Sequence, residues 1–195
     1  MHGRLLATAS VLVALALAGS ALADGTTVDD NRNARANLLD IEEARAGHKG
    51  TMLQHSISTY RPWRTDWLRR RSALPRAICV YIWKAGRNIN GSADYEVCAR
   101  YRADTLRAWV WKVRPERELM GRAEVKRFDR NSITFTFDPA LIENRSRYQW
   151  QAVTGFTGKG CPKDPPFQFG CDDSAPTRGA VTHDLRKQVT PTPAQ

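Results

Sequence analysis

Four cysteines, Cys79, Cys98, Cys161 and Cys171, are the residues of this 195-residue chain best equipped for chemistry. A thiolate can ligate a metal or attack an electrophile, and two thiols can close a disulfide. Cys161 and Cys171 bracket PKDPPFQFG, with Asp172 and Asp173 directly after. Zinc needs four ligands at suitable spacing, and no histidine lies near this pair in sequence. In an oxidising compartment the segment is a closed loop. Asp172 and Asp173, with His183 and Asp184 downstream, could supply oxygen ligands to calcium. Equally, Asp-Asp-Ser before a proline is turn chemistry, with a carboxylate capping backbone amides. Calcium is therefore the one cofactor left open. No G-x-S-x-G elbow, H-E-x-x-H helix or phosphate-cradling glycine loop occurs. His48, His55 and His183 are tied to no nucleophile, so the expectation is a protein without catalytic residues.

Aromatic and basic residues suggest binding instead. YRPWRTDWLRRRSALPR interleaves Trp63 and Trp67 with Arg61, Arg64, Arg69, Arg70, Arg71 and Arg76. Aromatic platforms flanked by guanidinium groups suit sugar rings and phosphate-bearing polymers. Alternatively, the tryptophans and Leu68 plug one end of a fold while the arginines stay solvated. Trp109 and Trp111 share one face of TLRAWVWKV, opposite Leu106, Ala108 and Val110. Whichever face meets solvent decides whether they form a binding strip or a core.

The compartment is read from the start of the chain. MHGRLLATASVLVALALAGSALADG carries Arg4, an apolar run and Ala21-Leu22-Ala23 before Asp24, the pattern of a secretory signal peptide over residues 1–23. No later segment is comparably apolar, so no membrane span is expected in the mature chain. The formal charge of +10 becomes +9 without Arg4, which favours anionic polymers, lipid headgroups or glycans of a cell envelope and specifies no nucleic acid. An exported chain with an even cysteine count implies two disulfides.

The elements that must position these residues are strands. SITFTF alternates Ile133, Phe135 and Phe137 with Ser132, Thr134 and Thr136. RAICVYIWK, DYEVCARYR, TLRAWVWKV, LMGRAEVKRF, YQWQAVTGF and TMLQHSISTY follow suit, separated by turn signals, as expected for an all-β antiparallel sandwich, jelly-roll or Ig-like, over residues 37–186. Residues 24–36 read as a flexible leader and 187–195 as a disordered tail. Helix formers dominate NARANLLDIEEARAG, yet a sandwich needs a strand leading into TMLQHSISTY, so a strand is assigned to 37–46. If Cys79 faces Cys98 in a hairpin, Ile78 pairs with Ala99, Val80 with Val97 and Ile82 with Tyr95. Every one of those pairs is apolar, and both cysteines take the opposite face. Cys161 is then left for Cys171.

In order, LLDIEEARAGHKG, LQHSISTYRPW, AICVYIW, DYEVCARY, SITFTFDPALI, YQWQAVTGF and CDDSAP resemble exported bacterial β-sandwich modules related to DOMON domains and carbohydrate-binding-module-like jelly rolls, over residues 36–185. The resemblance lies in strand order and in the small motifs LDI and DSAP. Such families include sugar-binding, haem-binding and calcium-supported members, and many with no assigned activity. KAGRNINGSAD, however, offers only Asp94 where calcium-supported relatives have acid-rich turns, and no methionine–histidine pair shares a face for haem.

Overall fold

The computed structural model describes residues 25–34, 37–69, 76–157, 161 and 171–185. The signal-peptide and tail assignments lie outside them. Eleven strands form: β1 (Thr26–Asp29), β2 (Ile41–Lys49), β3 (Met52–Thr59), β4 (Ala77–Lys84), β5 (Tyr95–Arg102), β6 (Thr105–Lys112), β7 (Glu118–Lys126), β8 (Ser132–Phe137), β9 (Arg147–Phe156), β10 (Cys171–Ala175) and β11 (Val181–Asp184). Short 3-10 helices occupy Thr65–Leu68 and Pro139–Ile142, and no α-helix occurs among the described residues. The fold is all-β and antiparallel, as the alternating runs require.

Strand order is β1-β2-β3-β8-β7-β6-β5-β4-β9-β10, with β11 also on β9. The two expected layers are parts of one nearly closed sheet, because β7 runs from one to the other. Its first part pairs with β6 and its last three residues, Glu124–Lys126, pair with β8. At the register shift Gly121 sits opposite Val110. A Cβ there would come 2.8 Å from Leu141 Cδ2, so a larger residue would require the Leu141 side chain of the Pro139–Ile142 turn to shift.

The far edge of β9 is shared, β11 pairing with Arg147–Trp150 and β10 with Ala152–Phe156. Side chains rather than a backbone ladder carry these short strands across to β1 and β2. Asp173 Oδ2 accepts from Ile41 N at 2.6 Å, and Thr26 Oγ1 lies 3.2 Å from His183 Nδ1. Burial pushes the Asp173 carboxyl up to about 6, partly offset by its hydrogen bonds from Ile41 N and Ser174 N, while Asp30 and Asp40 raise it further.

Inward-facing alternate residues fill the interior. Ile78, Val80 and Ile82 of β4 meet Tyr95, Val97 and Ala99 of β5, with Phe135, Phe137, Tyr148 and Trp150 among the largest buried side chains. The β4–β5 register is the one that the cysteine parity demands, Cys79 opposite Cys98. Both disulfides are formed, with Cα separations of 4.1 Å for Cys79–Cys98 and 5.2 Å for Cys161–Cys171.

Two boundaries are corrected. The stretch expected to be a flexible leader contains β1, which pairs Thr26–Asp29 with Glu43–Ala46. Its single apolar residue, Val28, packs against the core, so backbone pairing supplies what side-chain periodicity lacks. The strand expected over 37–46 begins only at Ile41. Asn37 Oδ1 accepts from Leu39 N at 2.9 Å and Asp40 Oδ1 from Ala34 N at 3.0 Å, holding a turn that buries Leu39 completely. Sheet pairing thereby overrides the helix propensity of this segment.

Candidate functional site

The face question for β6 has a clear answer. Ala108 and Val110 are buried, whereas Trp109 and Trp111 face outward and are partly exposed. Register places Cys98 opposite Trp109, Glu96 opposite Trp111, and Leu119 of β7 on the other side of Trp111. Parity brings Arg100 and Arg102 of β5 to the same outer face. Cys98, Arg100, Arg102, Trp109, Trp111 and Leu119 line a groove of about 590 Å³ with Leu68, Arg76, Tyr101 and Arg117.

The groove is both apolar and cationic. Leu119 is half exposed and adds apolar surface beside Trp111. The Arg117 guanidinium lies 4.9 Å from the Trp111 ring centroid while pairing with Glu96. Arg76 bonds Thr157 Oγ1 at 2.8 Å and lies 4.4 Å from the Phe156 ring. Arg100 and Arg102 have no ion pair among the described residues. Arg76, Arg100, Arg102 and Arg117 thus border the two indoles, with Glu96 paired to Arg117.

The Trp63 segment divides. Trp63 is 3% exposed, its Nε1 donates to Asn131 O at 3.0 Å, and Arg127 lies 3.8 Å over its ring. It is a plug and offers no platform. Trp67 is partly buried against Phe156, with ring centroids 6.1 Å apart. Arg64 pairs with Asp66 at 3.0 Å and Arg69 with Asp104 at 2.7 Å. Arg70 and Arg71 lie outside the described residues. The segment nevertheless reaches the groove through Leu68 and Arg76 at its rim.

Asp173 caps Ile41 N, the capping role weighed from the sequence, and Asp172 is exposed. Among the described residues no group of three or more His, Cys, Asp or Glu is arranged to hold a metal ion. The three histidines do converge with Tyr148 inside the barrel. His55 Nε2 lies 2.9 Å from Tyr148 OH, and the His183 ring is 5.4 Å from both the His48 and the Tyr148 rings. Complete burial, followed by the neighbouring histidines, lowers the His55 pKa to about 3. His55 is therefore a neutral core residue at physiological pH.

Sequence reasoning singled out Trp109 and Trp111 and missed Arg100, Arg102, Arg117 and Leu119. The signal for Arg100 and Arg102 was present, since a register that puts Ala99 and Tyr101 inside puts both arginines beside Cys98. Arg117 and Leu119 depend on the β6–β7 turn and its register shift, which no local pattern marks. No protein-family model matches the chain, and comparison with curated proteins and with solved structures found no match either.

Proposed function

We propose that the protein is an exported, non-enzymatic module that binds an anionic glycan of the cell envelope in the groove on β5–β7. The observation that carries this reading is the outward pair Trp109 and Trp111, bordered by Arg76, Arg100, Arg102 and Arg117 in one cavity. Indole faces stack on the apolar faces of sugar rings, and guanidinium groups meet carboxylate or phosphate substituents bidentately. Each stacked ring contributes on the order of 1–3 kcal/mol, by analogy with bases on aromatic platforms. The two disulfides suit an oxidising, extracellular setting.

The test is retention on purified envelope polysaccharides at graded salt, with Trp109→Ala, Trp111→Ala and the double variant Arg100→Gln/Arg102→Gln. Binding by stacking plus charge predicts at least tenfold weaker retention for each tryptophan variant and a flatter salt dependence for the arginine variant. Retention unaffected by either tryptophan substitution refutes the groove. Absence of retention on every polymer favours a structural or protein-interaction domain.

A further inference from the structure

A second cavity, of about 460 Å³, opens at the end of the barrel between the β4–β5 and β6–β7 turns, lined by Lys84, Arg87, Asp94, Lys112, Arg114 and Pro115. We propose that it is a site for a phosphate dianion, either free or as the monoester of a sugar. The proposal does not rest on the glycan reading of the groove, because the two cavities share no lining residue.

Four cations line this cavity and the only carboxylate among them is Asp94, which is buried and already engaged. It accepts from Lys84 N at 2.8 Å and pairs with Arg87. Behind the wall, Glu143 bridges Lys84 and Lys112 at 3.3 and 3.1 Å and also pairs with Arg145. The nearby Tyr95 hydroxyl and the ion pairs with Arg145 and Lys112 hold its carboxyl far below the usual range, so it stays ionised. Each carboxylate therefore fixes cations in place without neutralising them all. Counting Arg145 on one side and Glu118, the register partner of Lys112, on the other, five positive groups stand against three negative ones.

Arg114 is the side chain with charge to give. It has no ion pair among the described residues, and its guanidinium rests against Gly91, where a Cβ would come 2.7 Å from Nη2. A planar guanidinium held beside two lysines and a second arginine suits the tetrahedral oxygens of phosphate. Cations already paired, Arg87 with the buried Asp94 and both lysines with Glu143, also avoid much of the cost of ordering long side chains on binding.

The test titrates the oxidised protein with inorganic phosphate, glucose 6-phosphate and acetate at constant ionic strength. Amide shifts of residues 84–87 and 112–114 report occupancy. Saturable phosphate binding at these amides is expected, at least tenfold weaker in Arg114→Gln and unchanged in Arg107→Gln, whose side chain is exposed on the outer surface. Lys112→Gln with an unaltered far-UV spectrum gives an independent loss. Tighter binding of glucose 6-phosphate than of phosphate identifies a sugar monoester as the source, and equal affinity a free anion. A non-saturable response, acetate binding as well as phosphate, or full affinity in Arg114→Gln overturns the site. Loss of glycan retention at the groove with phosphate binding intact refutes the other reading alone.

Discussion

Two buried groups titrate in opposite senses, and their opposition predicts an unusual pH profile of stability. His55 has a folded pKa of about 3 against an ordinary 6.5. The unfolded chain therefore binds more protons below 6.5, and stability present above that pH is lost as pH falls. At pH 5 the loss is 1.5 pH units at about 1.4 kcal/mol each, roughly 2 kcal/mol. Asp173 has a folded pKa of about 6 against 3.8. Here the folded chain binds the extra proton, so stability rises as pH falls from 6 towards 3.8, by about 1.4 kcal/mol at pH 5. The two nearly cancel in the native protein. Urea unfolding followed by tryptophan fluorescence at pH 7 and pH 5 separates them. The native protein should change by less than about 1 kcal/mol, Asp173→Asn should lose about 2, and His55→Gln should gain about 1.4 on acidification, at unchanged m-values. Identical pH dependence in His55→Gln and the native protein would refute the reasoning.

Truncating the buried Trp63 to alanine should cost about 3–5 kcal/mol in urea unfolding, whereas Trp111→Ala, on the groove, should cost under about 1 kcal/mol. Replacing Cys161 and Cys171 by serine frees a loop of sequence separation 10, and the unfolding free energy should fall by about 3 kcal/mol. Gly121→Val requires the Leu141 side chain to shift and should cost about 1–3 kcal/mol by the same assay. An unchanged midpoint in that variant would show that Leu141 shifts without cost.

How far the sequence reached is clearest in the cysteines. Parity is a two-residue code, so one assumed bridge at Cys79–Cys98 specified a whole register, and β4 and β5 pair in that register. The same code placed Trp109 and Trp111 together but left their face undecided, because both faces of β6 carry large apolar side chains. Strand β1 was illegible since it has one apolar residue and exists through pairing with β2. Strands β10 and β11 are four or five residues long and follow proline-rich or turn-forming segments, where alternation has no room to show. The cationic cavity at the sheet end was hidden for another reason. Its cations come from the last residues of β4 and β6 and from the turns that follow them, each unremarkable alone, and only the end of the sheet brings them together.

A sheet of this many strands would ordinarily end in two open borders, each a template for another chain. Here those borders confront one another, with β1 covering only Glu43–Ala46 of its neighbour and Asp173 reaching from β10 to the uncovered Ile41 amide. A stranger's strand seeking to dock on β10 would have to displace that contact and meet a carboxylate at close range. The device guards against fibrillar association between copies.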